Sequence, residues 1–154
     1  MKRFLVTSVL IAATVTGASV AEAAAQRGKF TGATTASNPV GFKVNRKHRV
    51  VRFYFEGVHL TCTDGDQFDS PTGPDRLQTS ATAAYKVKKR KFKISQHDDQ
   101  AGNGWDVAGK FNKKGSKATG TITIFATFDE ANNADPDGSV RCESGPVKFA
   151  VKRG

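Results

Sequence analysis

Acid is scarce in this chain, cysteine and histidine are scarcer, and helical periodicity is missing, and each shortage closes off a class of explanation. Lysine and arginine number 24 against 14 aspartate and glutamate, for a formal net charge of +10 at neutral pH. A surplus of that size favours polyanionic surroundings, such as phosphorylated wall polymers, anionic lipid or nucleic acid, and it also serves ordinary solubility. The histidines are His48, His59 and His97. None lies near a G-x-S-x-G elbow or has a second histidine at metal spacing, so the sequence holds no signature of a serine hydrolase or a histidine-held metal. The two cysteines, Cys62 and Cys142, lack partners at zinc spacing. Beyond the leader, no stretch repeats its apolar residues every three to four positions; strands and turn signals alternate instead.

The first 25 residues read as an export leader. Lys2 and Arg3 form a positive n-region, Phe4 to about Val15 an apolar h-region, and Ala21-Glu22-Ala23-Ala24-Ala25 offers two small-x-small cleavage sites, after Ala23 or after Ala25. Threonines, serines and a glycine interrupt the apolar run, which falls short of the ~20 strongly apolar residues of a membrane span. No transmembrane anchor is therefore expected in the mature form. No cysteine lies near the cleavage region to carry a lipid, and the closing FAVKRG resembles neither a hydrophobic tail nor a wall-sorting signal. Cleavage after Ala25 leaves 129 of the 154 residues, and loss of Lys2, Arg3 and Glu22 brings the net charge to +9. Residues 26–154 then make one domain of ordinary size, secreted and able to bury a core. In an exported chain Cys62 and Cys142 are expected to pair, closing a loop worth on the order of 4 to 5 kcal/mol of unfolded-chain entropy in the simplest account.

The stretch Arg49 to Cys62, RVVRFYFEGVHLTC, is the organising one. Read two residues at a time it places Val51, Phe53 and Phe55 on one face and Arg52, Tyr54 and Glu56 on the other. At Glu56-Gly57 the count slips, and Val58, Leu60 and Cys62 take over the inward face, as a bulge at a glycine would produce. Strands over Gly28 to Thr35 and Val40 to Val44 precede it. Leu77 to Val87, a strand through Phe92 and Ile94, one through Trp105 to Phe111, Lys117 to Phe128, and Val140 to Val151 follow it. About eight short strands with hairpin-like spacing predict an all-β protein, a single antiparallel β-sandwich or flattened barrel. Trp105 falls on the inward parity and is assigned to the core.

GKFTGATTASNPVGFKV, then VVRFYF followed by a cysteine and a loop, and finally RCESGPVKFAVKR, together resemble small secreted β-sandwich proteins of high-G+C Gram-positive bacteria. The resemblance spans most of the mature chain. It implies export, a sandwich and a Cys62–Cys142 bridge, and brings no catalytic residues with it.

If each strand crosses the domain once, successive connections fall at alternate ends. One end then collects Arg46, Lys47 and Arg49, then Lys88, Lys89, Arg90 and Lys91, then Lys113, Lys114 and Lys117, with Arg27, Lys29, Lys152 and Arg153 from the chain termini. The other collects Asp64, Asp66, Asp69, Asp75, Asp98, Asp99, Asp129, Glu130, Asp135 and Asp137, together with both cysteines. At the basic end, cations held on turns could release counterions on binding a polyanion. Only Phe92 is interleaved with that charge, and export removes the protein from genomic nucleic acid, so an anionic wall polymer or acidic glycan is the expected partner. At the acidic end, TDGDQFD and DPDG offer Asp64, Asp66, Asp135 and Asp137 as oxygen ligands for calcium, against a plain role as turn formers. Asp129 with Glu130, or Asp98 with Asp99, could be read as the carboxylate pair of a glycosidase. Tyr54 with Arg52 on an outward strand face, and the hydroxyls of Thr119, Thr121, Thr123 and Thr127, are features that could meet sugar. His48 is expected in a turn, His59 pointing outward and His97 in a loop, each solvated or locally bonded. The sequence-based expectation is a secreted, non-catalytic binding or structural module with a basic end for polyanions. The alternatives are a calcium-stabilised carbohydrate-binding module and, behind it, a glycoside hydrolase.

Overall fold

The computed structural model describes residues 24–129 and 133–154. The leader up to residue 23, and Glu130, lie outside the described residues. Twelve antiparallel strands account for nearly all the regular structure: β1 (Gly28–Thr34), β2 (Pro39–Val44), β3 (Arg49–Phe55), β4 (His59–Cys62), β5 (Gln67–Asp69), β6 (Leu77–Gln78), β7 (Tyr85–Lys86), β8 (Lys91–Asp98), β9 (Asn103–Phe111), β10 (Lys117–Phe128), β11 (Val140–Glu143) and β12 (Val147–Arg153). One 3₁₀ turn, Gly73–Asp75, is the only helical element among the described residues. No helix among them is long and apolar enough to cross a membrane.

The all-β, antiparallel class holds, and the strand count rises from about eight to twelve for local reasons. Each of three segments read as a single strand divides in two, and Gln67–Asp69 adds a hairpin partner for β4. The slip at Glu56-Gly57 is a break between strands and not a bulge within one. Gly57 adopts a φ of +57°, and the chain leaves the edge of β2, where β3 pairs, to pair as β4 with β11. The true bulge lies earlier. The register of β2 on β3 shifts between Gly41 and Lys43, and Arg52 adopts a φ of +52°. Inward parity therefore runs through Val50 before the bulge and Phe53 after it, and Val51 is left half-buried. Opposite the bulge Thr79 is buried, its Oγ1 accepting the Phe53 N–H at 3.1 Å while its own N–H donates to the Phe53 carbonyl at 2.9 Å. That side-chain bond replaces a ladder rung, and regular pairing of residues 77–87 with β3 survives only at its two ends, as β6 and β7.

The strands form one continuous sheet, ordered β5-β4-β11-β10-β12-β1-β2-β3-β6, with β7 also on β3 and β9 then β8 on the other side of β10. The sheet curls until β2 and β3 face β8 and β9, but no ladder closes it into a barrel. What fills the curl is aromatic. Phe42 stands within 6 Å, ring centre to ring centre, of Phe30, Phe53, Phe92 and Phe111, and Phe53 also meets Trp105 and Phe149. Rings of this size demand room. A Cβ on Gly109 would lie 2.2 Å from the Phe92 ring, so only glycine lets that ring lie across β9. Each fully buried phenylalanine contributes roughly 1.5–3 kcal/mol by removal from water. Trp105 belongs to this core, as its parity predicts.

At the unclosed margin one side-chain bond spans β7 and β8: Gln96 Nε2 donates to Tyr85 Oη at 2.7 Å. Burial raises the Tyr85 pKa above its ordinary 10, the Gln96 bond opposing in part. Because the folded chain then holds this proton at pH values where the unfolded chain has released it, Tyr85 stabilises the fold below pH ~10 and loses that contribution as pH climbs through the folded value. Tyr85→Phe should cost about 1 kcal/mol in urea denaturation at neutral pH. The 295 nm titration difference between wild type and Tyr85→Phe should place this ionisation above pH ~10; a difference spectrum centred at or below that value would contradict the assignment.

Candidate functional site

Both ends of the curled sheet are built by register. At one end Gly28 faces Val44, Phe30 faces Arg153, Lys117 faces Lys152, Phe111 faces Ala118, Lys91 faces Lys110 and Arg49 faces Lys86. All the cations assigned to the basic end, Arg27, Lys29, Arg46, Lys47, Arg49, Lys88 to Lys91, Lys113, Lys114, Lys117, Lys152 and Arg153, therefore emerge at or next to it. Lys86 and Lys110 join them.

Two of its turns share a design. Asn45 Oδ1 accepts the backbone N–H of Lys47 and of Arg49 at 2.9 and 3.0 Å. Asn112 Oδ1 accepts those of Ser116 and Lys117 at 2.9 and 3.2 Å. An asparagine that satisfies its own turn's donors leaves the cations following it free of that duty, with Arg46, Lys47, Lys113 and Lys114 all exposed. The first described residues and the C-terminal strand are tied in here too. Gln26 donates through its backbone to Gly115 and through its amide to Lys114, Arg153 donates to Ser116, and His48 Nδ1 lies 2.8 Å from the Ala25 carbonyl. Ala25 itself is buried. An open depression of ≈ 720 Å³ lies between Ala24–Gly28, the β2 end and Arg153.

The third basic turn is a two-residue hairpin. Lys88 and Lys91 bridge, and between them Lys89 and Arg90 adopt φ values of +49° and +62°. Two left-handed residues are what a type I′ connection needs, and asparagine followed by glycine is the usual choice. Lysine and arginine in their place cost roughly 1 kcal/mol each.

The acidic loops gather at the other end. Asp64 and Asp66 sit in the β4–β5 hairpin, Asp98 at the end of β8 and Asp99 in the turn to β9, and Asp129, Asp135 and Asp137 between β10 and β11. Cys62 and Cys142 are bonded there, directly opposite one another on β4 and β11. A buried bridge of this kind accords with an extracytoplasmic protein. The carboxylates serve their own turns: Asp64 accepts from the Asp66 N–H, Asp98 from those of Gln100 and Ala101, and Asp135 from that of Asp137. The candidate calcium ligands Asp64 and Asp66 thus lie in one turn and Asp135 and Asp137 in another. No group of three or more histidine, cysteine, aspartate or glutamate side chains converges as a metal site among the described residues. Of the glycosidase pairs, Asp98 and Asp99 are exposed neighbours at the end of β8, and Glu130 is outside the described residues.

His48 occupies a turn and His59 points outward, paired with Asp69 at 3.1 Å. His97 is not in a loop: it lies on β8, opposite Gly104. Strand parity places it beside Ser95 and Asp106 on the outer face, a Ser-His-Asp grouping that sequence spacing concealed because Asp106 arrives from β9. The geometry is not that of a proton relay. Ser95 Oγ and Asp106 Oδ2 both approach the same ring nitrogen, Nε2, at 3.2 Å, and Ser95 donates to Asp106 directly. A relay needs the carboxylate on Nδ1 and the hydroxyl on Nε2, so this grouping cannot activate the serine.

Sequence reading also missed a basic groove on the outer face of β1–β3, where Lys43 and Arg76 join Lys29, Arg52 and Tyr54. Lys43 comes from an ordinary exposed strand position and Arg76 from a long loop, so no local pattern marked either.

Replacing Lys89 alone, Lys89→Asn, which leaves the bond from Arg90 Nη1 to the Phe111 carbonyl at 3.4 Å in place, should raise stability by about 1 kcal/mol, equivalent to about 4 °C in melting temperature. An unchanged or lower melting point would show that the charged turn is not strained. Comparison of the chain with protein-family models, with curated proteins and with solved structures found no match in any of the three.

Proposed function

We propose that this is an exported, non-catalytic binding or structural module of the cell exterior whose basic end holds polyanionic polymers such as phosphorylated wall polymer or acidic glycan. One observation carries the reading. Three turns, the segment through Arg27 and Lys29 and the C-terminal strand bring lysine and arginine to a single end of the sheet, and no Asp or Glu side chain occurs among the described residues of 24–55, 84–97 or 107–128, which build it. Among the described residues, the ion pairs His59–Asp69, Arg76–Glu56, His97–Asp106 and Arg141–Glu143 lie elsewhere, on the outer faces and towards the acidic end. Cations crowded on rigid turns repel one another and gain most from a polymer that spans several of them at once, through counterion release. A solvated surface would intersperse the two signs.

Export is part of the same proposal. Of the two cleavage sites, the one after Ala23 retains Ala25, which is buried and whose carbonyl meets His48. Cutting after Ala25 would remove that contact.

Retention on immobilised polyphosphate should be strong at low ionic strength and collapse with salt. For six or more phosphate contacts, affinity falls by about 10³ or more between 50 and 200 mM salt. Lys88→Ala/Lys89→Ala/Arg90→Ala should flatten that slope and elute earlier; salt-insensitive retention would reject the proposal. The intact mass of protein secreted from its own host should correspond to a chain beginning at Ala24, and a mass beginning at Gln26 would remove the role given to Ala25.

A further inference from the structure

We propose that the outer face of β1–β3 carries a second anion site, bordering the basic end and sharing Lys29 with it, that takes a single acidic sugar unit bearing a phosphate or a carboxylate. The groove measures ≈ 770 Å³, within the range of small-ligand sites, and four cations border it: Lys29, Lys43, Arg52 and Arg76.

Each is placed by a specific feature of the fold. Lys29 and Lys43 are direct cross-strand partners, both exposed, because Phe30, Phe42 and Val44 take the inward positions. Like charges directly opposite one another on neighbouring strands are unfavourable, and a bound anion between them would reverse the sign of that interaction. Arg52 reaches the same face from the bulge, in a left-handed conformation that L residues rarely adopt. Arg76 is held at the rim. Its guanidinium carbon lies 4.0 Å from the centre of the Tyr54 ring, and Nη1 donates to Glu56 Oε1 at 3.4 Å. The other Glu56 oxygen accepts the Gly73 N–H at 3.2 Å, so both oxygens of this carboxylate are already engaged.

Tyr54 in turn lies over Gly41, its direct partner across the ladder. A Cβ at position 41 would stand 2.7 Å from the ring and its hydroxyl. With Gly41 against the ring and Arg76 over it, the ring's role is to fix the guanidinium. Gln78, the ladder partner of Tyr54, and Ser80 also line the groove and supply amide and hydroxyl groups. Converging cations with hydroxyl-matching neighbours suit an acidic sugar better than a bare inorganic ion or an apolar ligand. The assignment does not depend on the basic end binding polymer.

Calorimetric titration of the purified protein at low salt with glucose 6-phosphate, glucuronate and glucose tests it. At least one acidic sugar should bind, with glucose at least tenfold weaker, and whichever acid binds tells phosphate from carboxylate. Lys43→Ala/Arg52→Ala should weaken that binding at least tenfold, and Lys29→Ala/Lys43→Ala, which leaves the bulge intact, should do the same. The Lys88→Ala/Lys89→Ala/Arg90→Ala protein should bind the sugar within twofold of wild type even while it releases polyphosphate. No binding of either acid, equal binding of glucose, or loss confined to the 88–90 variant would overturn the proposal.

Discussion

The packing of Phe42 against Phe30, Phe53, Phe92 and Phe111 is the interaction on which the architecture rests. It joins β2 to its ladder neighbours β1 and β3, and also to β8 and β9, which reach it by no ladder at all. A sheet that must enclose such a cluster has to curl, and a curled sheet of short antiparallel strands leaves only two ends for its connections. The glycine under Phe92 and the bulge at Arg52 are concessions to the same core: one makes room for a ring, the other resets parity so that Phe53 and Phe55 still point in.

With the connections restricted to two ends, the order of turns along the chain sets the electrostatics. Lysine-rich turns alternate with aspartate-rich loops in sequence, and alternate traversals deliver them to opposite ends. The acidic loops stabilise themselves, each carboxylate accepting N–H groups from its own turn. Two of the three basic turns rely on Asn45 and Asn112 for the same purpose, which leaves the charges of Arg46, Lys47, Lys113 and Lys114 uncommitted to the turn. The Cys62–Cys142 bridge sits at the acidic end, where β4 has left the company of β3 and is held by short ladders to β5 and β11. A covalent tie there compensates for pairing too short to be independently stable.

Much of this was legible before any coordinates, because alternation is a local property and burial followed it. Phe42, Phe92, Ile94, Trp105, Ile122 and Phe149 all lie where period-two counting put them. The two charged ends, with both cysteines at one of them, follow from the number of crossings, and this count is not disturbed by strands that divide without reversing direction. Legibility failed wherever a residue's position depended on another strand. Period-two counting places Val51 inward because the bulge is defined by the register of β2, which the Arg49–Cys62 stretch does not encode. His97 was assigned to a loop because its partner Gly104 lies across the hairpin. The basic groove escaped notice for the same reason: its cations come from β1, β2, β3 and a loop, and nothing in any one segment brings them together.

By itself the sequence determined the class of fold, the inward face of most strands and the end at which each charged turn emerges, since all three follow from hydrophobic alternation and from chain direction. Only the tertiary structure decided that the layers form one unclosed sheet, that β3 and β4 part company at Gly57, and that Lys29, Lys43, Arg52 and Arg76 surround one groove. The physical reason is that strand partnership is made through backbone hydrogen bonds, which look alike at every residue but proline. Side-chain pattern says which way a residue faces, and only the enclosed aromatic core says which strand it faces beside.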